Sequence, residues 1–204
     1  MAKIVVMKKL ILSVLDFIKR RTSWHYRLIK ASFPERCEML RPQFYHLGEN
    51  VELHTLDFGT EPYLISIDDN VCVAAGVRFI THDVSCFRMA QYLGVPKTSV
   101  DKVGCIKLLE NCFIGAYSIL MPNVTVGKNS VVAAGSVVTK DIPDGEVWGG
   151  VPSKFIMSTE EYAKRIVIDS AKYPWMKNRQ NLTKEEIVKL RQLYFFEKNE
   201  VVCH

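Results

Sequence analysis

Apolar residues recur every sixth position over residues 108–143, which read LLENCF, IGAYSI, LMPNVT, VGKNSV, VAAGSV and VTKDIP. The first place of each copy is aliphatic, and the fifth is small or β-branched. An amphipathic helix would need apolar residues about every 3.6 positions, so this period instead indicates the stacked coils of a parallel β-helix. Coils of this kind bury shared aliphatic columns that no single repeat could bury alone.

The same period occurs upstream, where IDDNVC, VAAGVR and FITHDV begin at Ile67, Val73 and Phe79, and LGENVE lies at 47–52. The two blocks are out of phase, because Ile67 and Leu108 lie 41 residues apart, which is not a multiple of six. An insertion is therefore expected at 85–103, with apolar anchors at Phe87, Met89, Tyr92 and Leu93. Loops of this length are usually functional.

Helical patterns flank the repeats on both sides. In the N-terminal segment apolar residues recur at helical spacing, at Ile4, Met7, Ile11, Val14, Leu15 and Ile18. Ser158–Glu161 and Thr183–Glu186 have the form of capping boxes, which predict helix starts. The sequence therefore predicts a basic helical segment at 1–46, a β-helix at 47–156 with its inserted loop, and C-terminal helices at 157–204.

Composition is that of a soluble globular chain, with 48% hydrophobic and 24% charged residues. The net charge of +5 is uneven, because residues 1–41 hold ten Lys and Arg against three Asp and Glu. The uncharged apolar run at 10–15 is far shorter than the roughly 20 residues that span a bilayer. Packing against the body or a sister subunit is the commoner fate of such a helix, and weak contact with a membrane surface is the alternative. We expect a cytoplasmic protein that binds no nucleic acid.

Residues 113–156 resemble the hexapeptide-repeat acyltransferases, and within them the galactoside, maltose and capsular-polysaccharide O-acetyltransferases. The resemblance rests on AAGSVVTKDIP, on the GGVPSK segment that ends at Lys154, and on Thr81-His82-Asp83 after the upstream coils. It implies a mainly β protein with a left-handed parallel β-helix, and the handedness comes from the resemblance alone. It also implies a homotrimer that binds acetyl-CoA in the groove between adjacent prisms.

His82 is the expected catalytic residue. It lies at the end of a repeat block and at the mouth of the long loop, and it matches the family's catalytic histidine. Thioester acyl transfer needs a base that takes the acceptor's hydroxyl proton, and an imidazole with an ordinary pKa of about 6.5 suits this role. Asp83 is a poor candidate to orient it, because adjacent strand residues point to opposite faces. The orienting group stays open, and a backbone N–H close to Gly115 is a candidate donor to the oxyanion.

The cofactor-binding residues implied by the resemblance are Ala116, Ala134, Thr139 and Lys154. Small side chains on the solvent side would let pantetheine lie against the backbone, and Lys154 would meet a CoA phosphate as a point charge. The predicted reaction moves an acetyl group from acetyl-CoA to a hydroxyl of a sugar or polysaccharide unit. No metal is expected.

The sequence leaves other functions open. The acceptor could be an amino sugar, an antibiotic or serine, and O-acetylation is not distinguished from N-acetylation. A γ-type carbonic anhydrase would need several histidines in adjacent coils, but residues 65–150 contain only His82. A non-enzymatic β-helix scaffold is the third alternative, since a fold does not determine a function.

Overall fold

The structure is a computed structural model that describes residues 12–15, 17–18 and 23–197. Contacts divide the chain into two compact units, Met1–Ile156 and Met157–His204. Residues 12–15 and 17–18 are helical, whereas Ile4, Met7 and Ile11 of the predicted N-terminal helix lie outside the described residues. Within the described ranges, no helix has the length and apolarity that crossing a membrane requires.

The first unit is a parallel β-helix with three sheets. Face A contains β1 (His46–Leu47), β3 (Ile65–Ile67), β6 (Ile106–Leu108) and β9 (Val124–Val126). Face B contains β2 (Glu52–Leu53), β4 (Cys72–Val73), β7 (Phe113–Ile114), β10 (Val131–Val132), β12 (Glu146–Gly149) and β13 (Lys154–Ser158). Face C contains β5 (Arg78–Phe79), β8 (Ile119–Leu120) and β11 (Val137–Val138). Ile106 pairs with Val124 one coil later, so a regular coil has 18 residues.

The interior of the prism consists of the columns that the six-residue period predicts. All first and fifth places of 108–143 are buried, namely Leu108, Cys112, Ile114, Ser118, Leu120, Val124, Val126, Ser130, Val132, Ser136, Val138 and Ile142. The columns continue across the insertion, because Ile67 pairs with Leu108 and Phe79 with Leu120. The two blocks therefore form one stack, in which neighbouring coils bury aliphatic side chains that a single coil could not bury.

The corners of the coils need a left-handed backbone. Asparagine tolerates this conformation because its short polar side chain can hydrogen-bond to nearby backbone. The φ angle is 55 to 59° at four corner asparagines, Asn50, Asn70, Asn111 and Asn129. Asn111 Nδ2 also donates to Asn129 Oδ1 of the next coil at 2.7 Å. At another corner Tyr117 has a φ of 59°. Its ring lies directly over Gly76, where a Cβ would come within 2.5 Å of it.

Larger side chains cover the ends of the interior. Helices α1 (Trp24–Lys30) and α2 (Phe33–Leu40) join the core at the first coil through buried Leu28 and Leu40. The Arg36 guanidinium ties them to that coil, because it donates to the carbonyl oxygens of Leu28 and Leu53. Beyond the last regular coil, Trp148 pairs with Val132 and packs against the core.

The second unit contains α4 (Thr159–Ala171) and α5 (Lys184–Gln192). Both predicted helix starts are confirmed. Thr183 and Glu186 form a complete capping box. Ser158 Oγ accepts from the Glu161 N–H at 3.1 Å. Four aromatic rings pack together at the other end of α5, from Tyr173, Trp175, Tyr194 and Phe195.

Candidate active site

The inserted segment leaves and re-enters the prism next to His82. A single antiparallel bridge pairs His82 with Val103. On either side of it, the Gly104 N–H donates to the Thr81 carbonyl at 2.8 Å, and the Asp83 N–H donates to the Lys102 carbonyl at 2.8 Å. The two ends of the insertion are thus joined at the coil that carries His82, and the chain between them lies beside this residue.

The insertion folds as helix α3 (Ser85–Tyr92) followed by a short 3₁₀ turn at Lys97–Ser99. Its anchors differ from those expected, because Met89, Tyr92 and Leu93 are exposed. The fully buried residue of the insertion is the small Ala90. Of the expected anchors, Phe87 lies edge-on to the His82 ring, with 5.6 Å between the ring centres.

Glu61 orients the imidazole of His82. Its Oε1 lies 2.9 Å from His82 Nδ1, and its Oε2 accepts from the hydroxyls of Thr60 at 2.7 Å and Thr81 at 2.9 Å. Hydrogen bonds lower the pKa of the Glu61 carboxyl, and the one from Thr60 has the largest effect. His82 and Thr81 lower this pKa further, whereas burial raises it. Glu61 is therefore ionised at neutral pH and fixed by three side chains.

The pairing with Glu61 determines which ring nitrogen is free. An ionised carboxylate only accepts, so Nδ1 carries the proton and Nε2 keeps its lone pair in the neutral ring. The His82 side chain is 18% exposed, and Nε2 has no hydrogen-bond partner. Asp101 Oδ1 lies 3.4 Å from Nε2 but outside hydrogen-bonding geometry. The Nε2 atom itself is buried, but the His82 side chain contributes to the lining of an open pocket of about 590 Å³, together with Phe87, Lys97, Thr98, Val100 and Asp101.

Asp83 does not contact His82, as the alternation of strand side chains indicated. Its carboxylate accepts from Lys102 Nζ at 2.7 Å and from the Ser85 N–H at 3.0 Å. The Lys102 ammonium is the main reason that the pKa of Asp83 lies far below its ordinary value. This ion pair closes the base of the insertion beside His82.

Ala116, Ala134 and the turn that precedes Lys154 share one edge of face C. Ala116 and Ala134 precede the parallel strands β8 and β11, and the Gly135 N–H donates to the Ala116 carbonyl at 2.8 Å. The turn before Lys154 lies against the start of β11, because the Ser153 N–H donates to the Val137 carbonyl at 2.8 Å.

His82 lies at the opposite edge, beyond the end of β5. Thr139 follows the end of β11 and lies on that same edge as His82. We call the edge that carries Ala116 and Ala134 the alanine edge. Within one copy of the chain, His82 and the alanine edge therefore lie on opposite sides of face C.

The Gly115 N–H is not available to an oxyanion. It donates to the Val132 carbonyl of the next coil at 2.8 Å. A donor already bonded inside a coil has no free hydrogen for a second acceptor, so Gly115 itself is not the donor, and a backbone N–H close to it stays a prediction.

The sequence resembles known proteins over most of its length. Residues 106–140 match the bacterial transferase hexapeptide family, a run of six repeats. Protein CapG of Staphylococcus aureus is 40% identical over 152 residues, which cover 72% of this chain and 83% of CapG. This chain belongs to the hexapeptide-repeat O-acetyltransferases. It is accordingly an acetyltransferase, and the resemblance seen in the sequence is confirmed.

Two further relatives agree with this assignment. The galactoside O-acetyltransferase of Escherichia coli K12 is 31% identical over 146 residues, which cover 67% of this acetyltransferase and 70% of that enzyme. The crystal structure of a maltose O-acetyltransferase from Clostridium difficile 630 matches with a TM-score of 0.50 and 24% identity. That match covers 64% of this chain and 80% of the other, and it confirms the left-handed β-helix. At the level of the family, the reaction is acetyl transfer to sugars.

Proposed function

We propose that this acetyltransferase moves the acetyl group of acetyl-CoA to a hydroxyl of a sugar or polysaccharide unit, with His82 as the general base. The observation that carries the proposal is the state of the His82 ring. Its Nδ1 is bonded to Glu61 at 2.9 Å, whereas its Nε2 is buried without a hydrogen-bond partner in a side chain that lines the pocket beside the insertion.

The chemistry follows from this arrangement. A sugar hydroxyl in the pocket donates to Nε2, and its proton passes to the imidazole as the oxygen attacks the thioester carbonyl. The carbon–sulfur bond then breaks, and the thiolate leaves without much help because the thiol pKa is near 8.5. The proton on the imidazolium goes to the sulfur, so the products are an acetyl ester and free CoA. Glu61, a negative charge fixed at Nδ1, stabilises the imidazolium that forms in between.

Changing Glu61 to Gln tests its role as a positioning residue. We expect kcat to fall by about 10²-fold, because a displaced or wrongly protonated base costs this much. The Michaelis constants for both substrates should change little, since Glu61 does not face the pocket. Asp83→Asn is the matched control, because that carboxylate neighbours His82 in the chain but bonds Lys102. Equal losses in the two variants, measured by thiol release, would count against the assignment.

The pocket offers contacts for a polyhydroxylated acceptor. Asp101 Oδ1 lies 3.4 Å from the buried Nε2, so a sugar hydroxyl reaches Nε2 once the exposed Asp101 side chain turns aside, and a neighbouring hydroxyl can then donate to Asp101. Phe87 supplies an apolar wall, and Lys97 supplies a cation at the rim. This mixture of groups supports a saccharide rather than an apolar acceptor.

Purified protein incubated with acetyl-CoA and a panel of sugars, nucleotide sugars and lipid-linked glycans tests the acceptor class. Thiol release that depends on a saccharide supports the proposal, and release that depends only on serine or on an amine contradicts it.

Lys154 is proposed to bind a phosphate of CoA at the alanine edge. We expect Lys154→Ala to weaken CoA binding by about tenfold, the value of one charge-assisted hydrogen bond. Binding of acetyl-pantetheine, which lacks the nucleotide, should hardly change. The difference should shrink at high salt, because exposed charges are screened. Lys128→Ala, an exposed lysine paired with Glu110, is the control for calorimetry. Equal losses for both ligands would contradict the role.

A homotrimer is proposed because one chain separates the groups that the reaction needs. His82 and Thr139 lie on one edge of face C, and Ala116, Ala134 and the turn before Lys154 lie on the other. A cofactor along the alanine edge would therefore meet His82 of a neighbouring copy, and cyclic closure gives each copy the same two contacts. We expect light scattering to give a trimer mass, and a stable, active monomer would contradict the proposal.

A further inference from the structure

A cluster of three different metal-binding side chains lies on face B, on another side of the prism from His82. Glu52 and His54 are two positions apart at β2, so both side chains point outward. Cys72 on β4 is the parallel partner of Glu52 in the next coil. The ladder between two coils thus brings a carboxylate, an imidazole and a thiol to one surface patch.

The three donor atoms are close enough for a single ion. Glu52 Oε2 lies 3.6 Å from His54 Nε2 and 3.8 Å from Cys72 Sγ. All three donor atoms lie within 4.8 Å of one another. Zinc bonds nitrogen and oxygen at about 2.0–2.2 Å and sulfur at about 2.3 Å, so neighbouring ligands of a tetrahedral ion lie roughly 3.3–3.7 Å apart. Small rotations of exposed side chains would bring the donors to these distances.

We propose that Glu52, His54 and Cys72 bind a zinc ion, with water at the fourth position. Thiolate, imidazole and carboxylate are the ligands that zinc binds in proteins. The two anionic ligands neutralise the ion, and the thiol loses its proton on binding because the thiolate is the ligand. Phe33 packs edge-on against the His54 ring at 4.6 Å, which limits the orientations of that ligand.

The site is separate from the proposed acetyl transfer. Its ligands come from the first two coils, next to α2, and none of them contacts His82 or Glu61. A bound ion would cross-link β2 to β4, so its effect is on the stability of the prism. Five cysteines among the described residues are free, and Cys72 is the one in this cluster.

Cobalt titration of the chelator-treated full-length protein tests the site. We expect a sulfur-to-cobalt charge-transfer band that saturates at equimolar cobalt and disappears when zinc displaces it. Cys72→Ser should remove the band, and His54→Asn should weaken cobalt binding by about 10- to 100-fold or more. Cys105→Ser, at an exposed free cysteine, is the matched control and should keep the band.

Two outcomes would overturn the proposal. One is the absence of a band in the folded wild-type protein, and the other is a band that persists in Cys72→Ser. Circular dichroism checks the fold of each variant. If Cys72→Ser does not fold, the affinity of His54→Asn decides, and an affinity equal to that of the wild type overturns the site.

Discussion

Replacing His82 with alanine is expected to lower the turnover of acetyl transfer by about 10²- to 10⁴-fold, the usual contribution of a positioned general base. Binding of acetyl-CoA should be unchanged, because Ala116, Ala134 and the turn before Lys154 lie at the other edge of face C, and only Thr139 of the expected cofactor residues shares the edge of His82. The fold should also persist, since His82 is not part of the aliphatic columns. Glu61 would keep its bonds to Thr60 and Thr81.

His25→Ala is the matched control for this variant, because His25 is exposed on α1. Turnover is followed by thiol release, and acetyl-CoA affinity by calorimetry. Near-normal turnover in a folded His82→Ala protein would eliminate His82 as the base. Loss of acetyl-CoA binding together with turnover would instead indicate a binding role.

Replacing residues 87–99 with a short Gly/Ser link is expected to abolish transfer to the sugar. The exchange removes Phe87, Lys97 and Thr98, which line the pocket beside His82. The affinity for acetyl-CoA should stay within a few-fold, because the alanine edge is untouched. The pairing of 81–83 with 102–104 lies outside the exchanged segment, so the coil should close as before.

An exchange of the exposed tip, Tyr92-Leu93-Gly94 to Gly-Ser-Gly, is the control for the loop replacement. It leaves Phe87 and Lys97 in place, so transfer should be reduced far less. Calorimetry and light scattering report cofactor affinity and assembly of both proteins. Lost CoA binding in an intact trimer would assign the loop to the cofactor site and contradict its role toward the acceptor.

The sequence predicts the β-helix well because every coil repeats the same pattern of buried and exposed positions. Each coil places an aliphatic residue such as Leu108 or Ile114 inside, and its neighbours in the stack do the same. The pattern therefore appears in the chain as a fixed period, and every first and fifth place of residues 108–143 is buried. The insertion could also be predicted, because residues 85–103 lack the six-residue period and Leu108 is out of phase with Ile67.

The partner of His82 could not be predicted in the same way. Glu61 lies 21 residues before His82, in a segment without the six-residue period, so no register relates the two in the sequence. The contact between Glu52 and Cys72 could not be predicted for the same reason. These two residues are paired 20 residues apart, whereas a regular coil has 18 residues. An acidic residue in a break of the repeat, one coil before the histidine, is the only signal for Glu61.

The inserted segment shows a second limit of the sequence pattern. Large apolar residues were expected to anchor it, but Met89, Tyr92 and Leu93 are exposed and the small Ala90 is fully buried. A small side chain fits where a short helix is closely covered, whereas the larger side chains of this helix lie on its exposed side. Hydrophobicity alone does not determine which face of a short helix is covered.

The most direct test of acetyl transfer through His82 is to count products. Wild-type protein and the His82→Ala variant are incubated with acetyl-CoA and the best sugar of the panel, and free CoA and sugar acetyl ester are measured together. We expect equal amounts of CoA and ester from the wild type, and far slower formation of both products by the variant. Thiol release without ester formation, or equal ester formation by both proteins, would contradict it.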